Sequence, residues 1–285
     1  MDYLVSAENT PYQQWQLELL IESFKYHNCE KDLLVCLAES DMPIHPLFWR
    51  NIATHLRIQA HENIGKTRGY KGLNALYDLS WAVQSKWITQ PFTYIPTDVV
   101  LKNKLNIQLQ SEFSEVVFSP SPFFTLELAE EAVGAFWEIT NKTRADYETA
   151  WVPLGPIMVF NKMPEYFFDR AIVLAEKLAL QQLLNKQPIW EHTATLAWAM
   201  NLSDFVGQLL LRGDYTLTMT MMDSSNSPFI HYEHGLPPVF NKTMFQYTAP
   251  DFISFGDPFE VLAENSPTES AHFISELAKR SLAAR

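Results

Sequence analysis

The chain has 285 residues, 47% of them hydrophobic and 19% charged, with 33 acidic against 21 basic side chains and a formal net charge of -12. That apolar share supports a sizeable core and excludes a disordered chain, while the acidic field disfavours nucleic acid and anionic membrane surfaces as partners. A small anionic substrate stays compatible with it, because a helix N-terminus or a pair of basic side chains holds a phosphate locally.

Tyr3 to Ala7 reads as the opening strand. Asn9 or Thr10 then offers a helix N-cap with Pro11 in the first helical position, and Leu19, Leu20 and Phe24 recur at helical spacing between Trp15 and Tyr26. Cys29 and Cys36 are too few for a disulfide framework and their spacing suits no compact metal motif, so they read as reduced thiols. Leu33 to Ala38 is a second strand, Glu39 to Pro46 a loop and Phe48 to Leu56 a short helix. A glycine-rich basic cluster, Lys66-Thr67-Arg68-Gly69-Tyr70-Lys71-Gly72, leads into a helix from Asn74 to Lys86. Phe92 to Ile95 is a buried strand ending at the turn Pro96-Thr97-Asp98, with apolar Val99 to Leu101 behind it.

Ser119-Pro120-Ser121-Pro122 reads as a linker and marks a candidate internal boundary at 119–122. A helical pattern over Leu126 to Glu138, a strand at Leu154 to Phe160 and two helices, Glu165 to Leu184 and Glu191 to Leu202, follow it. Next come the Thr-rich apolar run Tyr215 to Met222 and the polar group Phe229-Ile230-His231-Tyr232-Glu233-His234-Gly235. The tail, 252–285, ends in a helix over Ser270 to Leu282. The alternation predicts an α/β sheet flanked by helices, mostly one domain over 1–285. The chain opens without the features of a secretory leader and no stretch approaches about 20 apolar residues, so a cytoplasmic protein with no membrane partner is expected.

Four groups of side chains invite chemistry. Asp98 closes a buried strand at a turn, where its carboxylate either accepts a divalent metal or sugar hydroxyls, or bonds its own backbone. His231 and Glu233 share one face of an extended segment and His234 faces away, enough for one or two metal ligands but not a complete site. Arg68 and Lys71 flank Gly69 at a helix start, which suits a diphosphate or is simply a solvated basic turn. Glu191 opens an apolar helix, as a functional carboxylate or as a partner of the helix dipole. GxGxxG, P-loop, G-x-S-x-G, HExxH and paired CxxC patterns are all absent, which argues against dinucleotide oxidoreductases, Walker NTPases, α/β-hydrolases and the common zinc enzymes.

Several blocks, in order, resemble the hydroxyproline O-arabinosyltransferases and peptidyl serine α-galactosyltransferases of plants and algae. Leu4-Val5-Ser6-Ala7-Glu8-Asn9-Thr10-Pro11-Tyr12-Gln13-Gln14-Trp15-Gln16 is similar to that family's V-T-A-N-D-S-x-Y-x-x-W-Q opening, and Arg68-Gly69-Tyr70 with Asn74 to its R-G-Y-x-x-x-N segment. Tyr94 to Leu101 falls where the family carries an acidic turn, and Gly155-Pro156-Ile157-Met158-Val159 resembles the strand after its I-G-N-S-P turn. Glu191 with its alanine-rich helix resembles W-V-x-E-M-Y-A, and Ile230-His231-Tyr232 with Gly235 resembles I-I-H-Y-T-Y-G.

The resemblance implies a GT-A-like nucleotide-binding sheet, a nucleotide-sugar donor expected to be a UDP-sugar, a divalent cation such as manganese or magnesium, and transfer of a hexosyl or pentosyl group to a hydroxyl of a peptide or small molecule. It assigns Asp98 and His231 to the metal and Ser6, Ala7, Glu8 and Asn9 to the nucleoside side of the donor. Arg68 and Lys71 fall to phosphate, with Asn74 and Thr97 among the donor contacts; Asp98 and Glu191 are the catalytic carboxylates, Glu191 towards the acceptor. Pro96 stands where the family has an acid, so the metal keeps fewer anionic ligands, and either its affinity falls or the site works without it. That substitution motivates a second hypothesis, a catalytically silent relative that binds a protein or glycan. A third is a metal-dependent phosphoester hydrolase built on Asp98, His231 and Glu233.

Overall fold

The structure is a computed structural model that describes residues 1–40, 52, 54–55, 57–110, 112–220, 226–232, 257–264 and 268–284. Ten strands are assigned among them: β1 (Asp2–Glu8), β2 (Leu33–Ala38), β3 (Ile58–His61), β4 (Phe92–Tyr94), β5 (Val99–Leu101), β6 (Glu115–Pro120), β7 (Leu154–Asn161), β8 (Leu210–Gly213), β9 (Thr218–Thr220) and β10 (Phe229–His231). The α-helices among them are α1 (Pro11–Tyr26), α2 (Ile64–Thr67), α3 (Leu73–Gln84), α4 (Leu126–Val133), α5 (Arg144–Ala150), α6 (Glu165–Leu184), α7 (Thr193–Asp204), α8 (Pro258–Glu264) and α9 (Glu269–Ala283). A seven-stranded mixed sheet has the order β3-β2-β1-β4-β7-β6-β8, and a three-stranded sheet the order β5-β10-β9. This is the expected α/β sheet with helices.

The chain divides into two compact units. One comprises Met1–Leu4, Asn63–Tyr94 and Leu109–Tyr215; the other comprises Val5–Glu62, Ile95–Gln108 and Thr216–Arg285. In the first, β4 and β7 run antiparallel, with Phe92 opposite Phe160. Phe92, Phe160, Phe167 and Phe168 are fully buried there, and Trp198 of α7 lies 5.6 Å from Phe160 and Phe167 between ring centroids. Each such side chain contributes about 1.5 to 3 kcal/mol on leaving water, so this aromatic cluster is the main apolar anchor of α6 and α7. In the second unit, α1 starts where Thr10 accepts a hydrogen bond from the Gln13 backbone, with Pro11 in the first turn. Its Trp15, Leu19, Leu20 and Phe24 are fully buried. All six residues of β2 are buried, the signature of a strand covered on both faces.

Two departures from the sequence reading have plain causes. Ser119-Pro120 is not a linker but the end of β6. Ser119 is fully buried and its Oγ accepts a hydrogen bond from the Ile157 backbone at 3.0 Å. A side chain at Gly155 would collide with the Ser119 carbonyl at 2.5 Å, so glycine is required opposite it. The strands β3 and β8 were not anticipated because they close the two ends of the large sheet, and their residues are largely half-buried. Most of the helix expected over Phe48 to Leu56, all but residues 52, 54 and 55, and the residues Glu233, His234 and Gly235 lie outside the described residues.

Candidate functional site

The residues for which chemistry was expected fall into two groups, one in each unit. In the second unit, β5 and β10 pair antiparallel with Val99 opposite His231. Asp98 immediately precedes β5, so this register delivers it to the end of β10. The Asp98 Oδ2 and His231 Nε2 atoms are 3.4 Å apart, and their side chains are 14% and 18% exposed.

The backbones around this pair are locked together. The Tyr232 N–H donates to the Asp98 carbonyl at 3.1 Å, and the Tyr232 hydroxyl donates to the Thr97 carbonyl at 3.3 Å. Thr97 is buried, and its hydroxyl donates to Gln16 Oε1 at 3.0 Å, which ties the turn to α1. Burial first, then the charge of Asp98, pushes the Tyr232 hydroxyl well above its usual pKa, so it remains a neutral donor across the physiological range. Thr97, assigned to the donor by resemblance, therefore has its hydroxyl turned to α1. Trp15 and Tyr232 sit 6.0 Å apart between ring centroids and wall the same corner.

Ser6 to Asn9, the carboxyl end of β1 and the residue after it, follows the same logic, since ligands of α/β sheets gather at the carboxyl ends of strands. Ala7 is buried and Ser6, Glu8 and Asn9 are half-buried. The Asn9 N–H donates to the Ala38 carbonyl, and its Oδ1 accepts from Gln14 Nε2, both at 2.8 Å. Glu8 N–H donates to Gln13 Oε1. The passage from β1 to α1 is thus a defined strand-to-helix connection.

In the first unit, the basic turn is built around two asparagines. Asn74 is buried; its Oδ1 accepts from the Gly65 N–H at 2.8 Å and its Nδ2 donates to Asn63 Oδ1 at 2.9 Å. Both ends of this amide hold the turn, so Asn74 shapes it from within. Gly69 adopts φ +76°, the left-handed conformation that glycine supplies without strain. Arg68 reaches Glu176 at 3.6 Å with 59% of its side chain exposed, and Lys71 is exposed.

Tyr70 connects this turn to Glu191, a link that sequence reasoning passed over. Its buried hydroxyl accepts from the Ala194 N–H at 2.6 Å and donates to the Glu191 carbonyl at 3.4 Å. Burial, opposed by bonds from Ala194 and Thr193, pushes its pKa up to about 12. Glu191 precedes α7 with its side chain 84% exposed, while His192 is the N-cap. The structure thus gathers Arg68, Lys71, Asn74 and Glu191 through Tyr70, and separately gathers Asp98, His231 and Thr97 through Tyr232 and Gln16. The signal for Gln16 and Tyr232 was present, since each lies within a block that carries the family resemblance.

The Asp98 and His231 pair suits one edge of a cation's coordination sphere. Ligand atoms about 2.1 Å from one ion stand about 3.0 Å apart at a right angle and about 3.4 Å at the tetrahedral angle. Among the described residues no group of three or more His, Cys, Asp or Glu side chains gathers for one ion, so these two would need oxygens from phosphate or water to complete a shell. No helix among the described residues is long and apolar enough to cross a membrane.

No protein-family model and no curated protein sequence matches the chain. Among solved structures it is similar to the galactosyltransferase LgtC in complex with donor and acceptor sugar analogues, at 10% identity and a TM-score of 0.52 over 98% of this chain and 96% of that one. An active-site mutant of LgtC is similar at 10% identity with a TM-score of 0.53 over the same shares, 98% and 96%. The glycosyltransferase GlyE of Streptococcus pneumoniae TIGR4 lies further off, at 13% identity and a TM-score of 0.49 over 99% of this chain and 65% of that one. The fold is therefore GT-A-like, as in LgtC.

Proposed function

We propose that the protein is a glycosyltransferase that moves a sugar from a nucleotide-sugar donor, a UDP-sugar, to a hydroxyl of a peptide or small-molecule acceptor. The observation that carries this reading is the meeting of Asp98 and His231, remote in sequence, at 3.4 Å where two strand ends close a half-buried corner of a GT-A-like fold. A carboxylate and an imidazole there would hold a manganese or magnesium ion. Such an ion, when bound, supplies positive charge against the departing diphosphate. Thr97, Tyr232 and Gln16 hold the segments that carry both ligands before donor arrives, so little reorganisation accompanies the reaction. Ser6 to Asn9 contact the nucleoside, Arg68 and Lys71 supply charge to phosphate, and Glu191 acts towards the acceptor hydroxyl. The resemblance to the peptide-modifying plant enzymes supports a peptide hydroxyl as the first acceptor to try.

Calorimetric titration with UDP, UDP-sugars and GDP-sugars, with and without manganese, tests the proposal. We expect a UDP ligand to bind, more tightly with the cation; no binding to any of them removes it. A second reading, a silent relative that binds a partner without turnover, draws on Pro96 and on the two candidate ligands, fewer than three, that the corner holds among the described residues. Turnover that vanishes in Asp98→Ala and His231→Ala decides against it.

A further inference from the structure

The longest described helix, α6, is anchored on one side by buried Phe167, Phe168, Ala171, Ala175 and Leu178. Its outer side is not polar. Tyr166, Val173 and Leu180 recur every seven residues and are 59%, 47% and 56% exposed, and Leu184 continues the ridge at 74%. Isolated exposed apolar residues are ordinary, but a ridge repeated every seven residues presents one continuous apolar line along the helix.

Charge flanks this ridge asymmetrically. At about 100° per residue, Arg170 and Lys177 fall on one side of Val173, and Asp169 and Glu176 on the other. The acids are already oriented: Asp169 accepts from Ser80 and Gln84, and Glu176 from Tyr77. On the basic side a recess of about 340 Å³ opens between α6 and the short helix at Phe136–Thr140, lined by Ile139, Asn141 and Leu174 together with Arg170 and Lys177. Lys177 has no ion-pair partner among the described residues.

We propose that a second copy of this chain docks here, α6 against α6, in parallel about a two-fold axis. That symmetry brings each ridge residue to its own counterpart and turns the basic flank of one copy to the acidic flank of the other on both sides. Lys177 then meets the partner's Asp169 and the partner's Glu176 at the mouth of the recess, while Arg170, paired with Asp204 of its own copy, adds positive charge to the same rim. Antiparallel pairing would set basic flank on basic flank and acidic on acidic. An anionic membrane is the less suitable occupant, because half of the rim is acidic and the chain carries -12.

Sedimentation velocity on the full chain should show a mass of two chains at tens of micromolar. Val173→Glu should raise the dimer's dissociation constant at least about tenfold, and Lys177→Glu a few-fold, with folding and donor binding unchanged because both side chains face outward. Leu180→Cys and Tyr166→Cys chains should each cross-link to themselves under mild oxidation, which only parallel register permits. A monomer at every concentration overturns the proposal. So does cross-linking through Val173→Cys without any through Leu180→Cys, or a monomer that binds phosphatidylglycerol vesicles through Leu180.

Discussion

The Asp98 corner and the Arg68 turn both place charge near a helix or strand end, yet they hold it in opposite ways. At the corner the functional side chains are held out of solvent. Asp98 and His231 are largely buried, and hydrogen bonds from Tyr232 and Thr97 tie together the segments that carry them. At the turn it is the backbone that is fixed, by Asn63, Asn74 and Gly69, while Arg68 and Lys71 extend into solvent. A fixed, desolvated charge acts on a transition state because no reorganisation accompanies the reaction, whereas an exposed cation adds screened, adjustable attraction. The corner should therefore appear in turnover and the turn in affinity.

The contrast is most exposed at Asp98. Asp98→Asn should lower kcat about 10²- to 10³-fold with the fold retained, as expected when a charged group acting in the transition state is lost. Arg68→Ala should leave kcat within a few-fold and raise the donor KM, an effect that fades as salt screens the site. Steady-state kinetics at two salt concentrations check both, and an Arg68→Ala enzyme that loses kcat as Asp98→Asn does breaks the distinction.

A second test separates stability from chemistry inside the first unit. Asp204 is 4% exposed on its side chain and is held by Lys142 and Arg170. Replacing both cations by Met strands a buried carboxylate and should cost about 3 kcal/mol or more in urea denaturation. The corner in the other unit should be spared, so donor titration under native conditions should be unchanged. In the corner the corresponding substitution is Thr97→Val, which removes the bond to Gln16 and should cost about 1 to 2 kcal/mol. Because Thr97 is argued to position Asp98, kcat should fall with it and return in Thr97→Ser; a stability loss with kcat intact would reduce Thr97 to packing.

How far the sequence reached follows the same physics. Leu33–Ala38 and Glu165–Leu184 were legible to the residue because burial on both faces, or one long helical face, imposes a strong period, whereas Val99–Leu101 was read only as an apolar stretch. The edge strands β3 and β8 and the Pro-ended β6 were not, since half-burial and proline erase that period. Asp98 and His231 were named, from a turn, a polar cluster and a family resemblance. Their meeting was implied by the resemblance, which assigns both to one metal, and not by the residue pattern, because it depends on the pairing of Val99 with His231, a non-local register. Tyr70 was named only as part of a resembling block and its role was missed, as a tyrosine in a basic loop carries no signal of its buried hydrogen bonds.

Tyr70 supplies the smallest and most specific check. Its folded pKa of about 12 lies above the ordinary value of 10, so the folded state retains the proton that the unfolded state releases first. The contribution is fully present below pH 10 and is lost as pH rises through 12. Tyr70→Phe should cost about 1 kcal/mol at neutral pH, by stranding the Ala194 N–H, and should flatten the fall in stability between pH 10 and 12 by about one proton. Tyr147, also in the first unit and also near 12, keeps part of that slope, so Tyr147→Phe in addition should remove more. Tyr232 carries the same sign in the other unit, where its hydroxyl backs Asp98. Alkaline titration of donor binding should therefore follow Tyr232 and be indifferent to Tyr147, and the reverse order would mean that the corner is not where the donor is held.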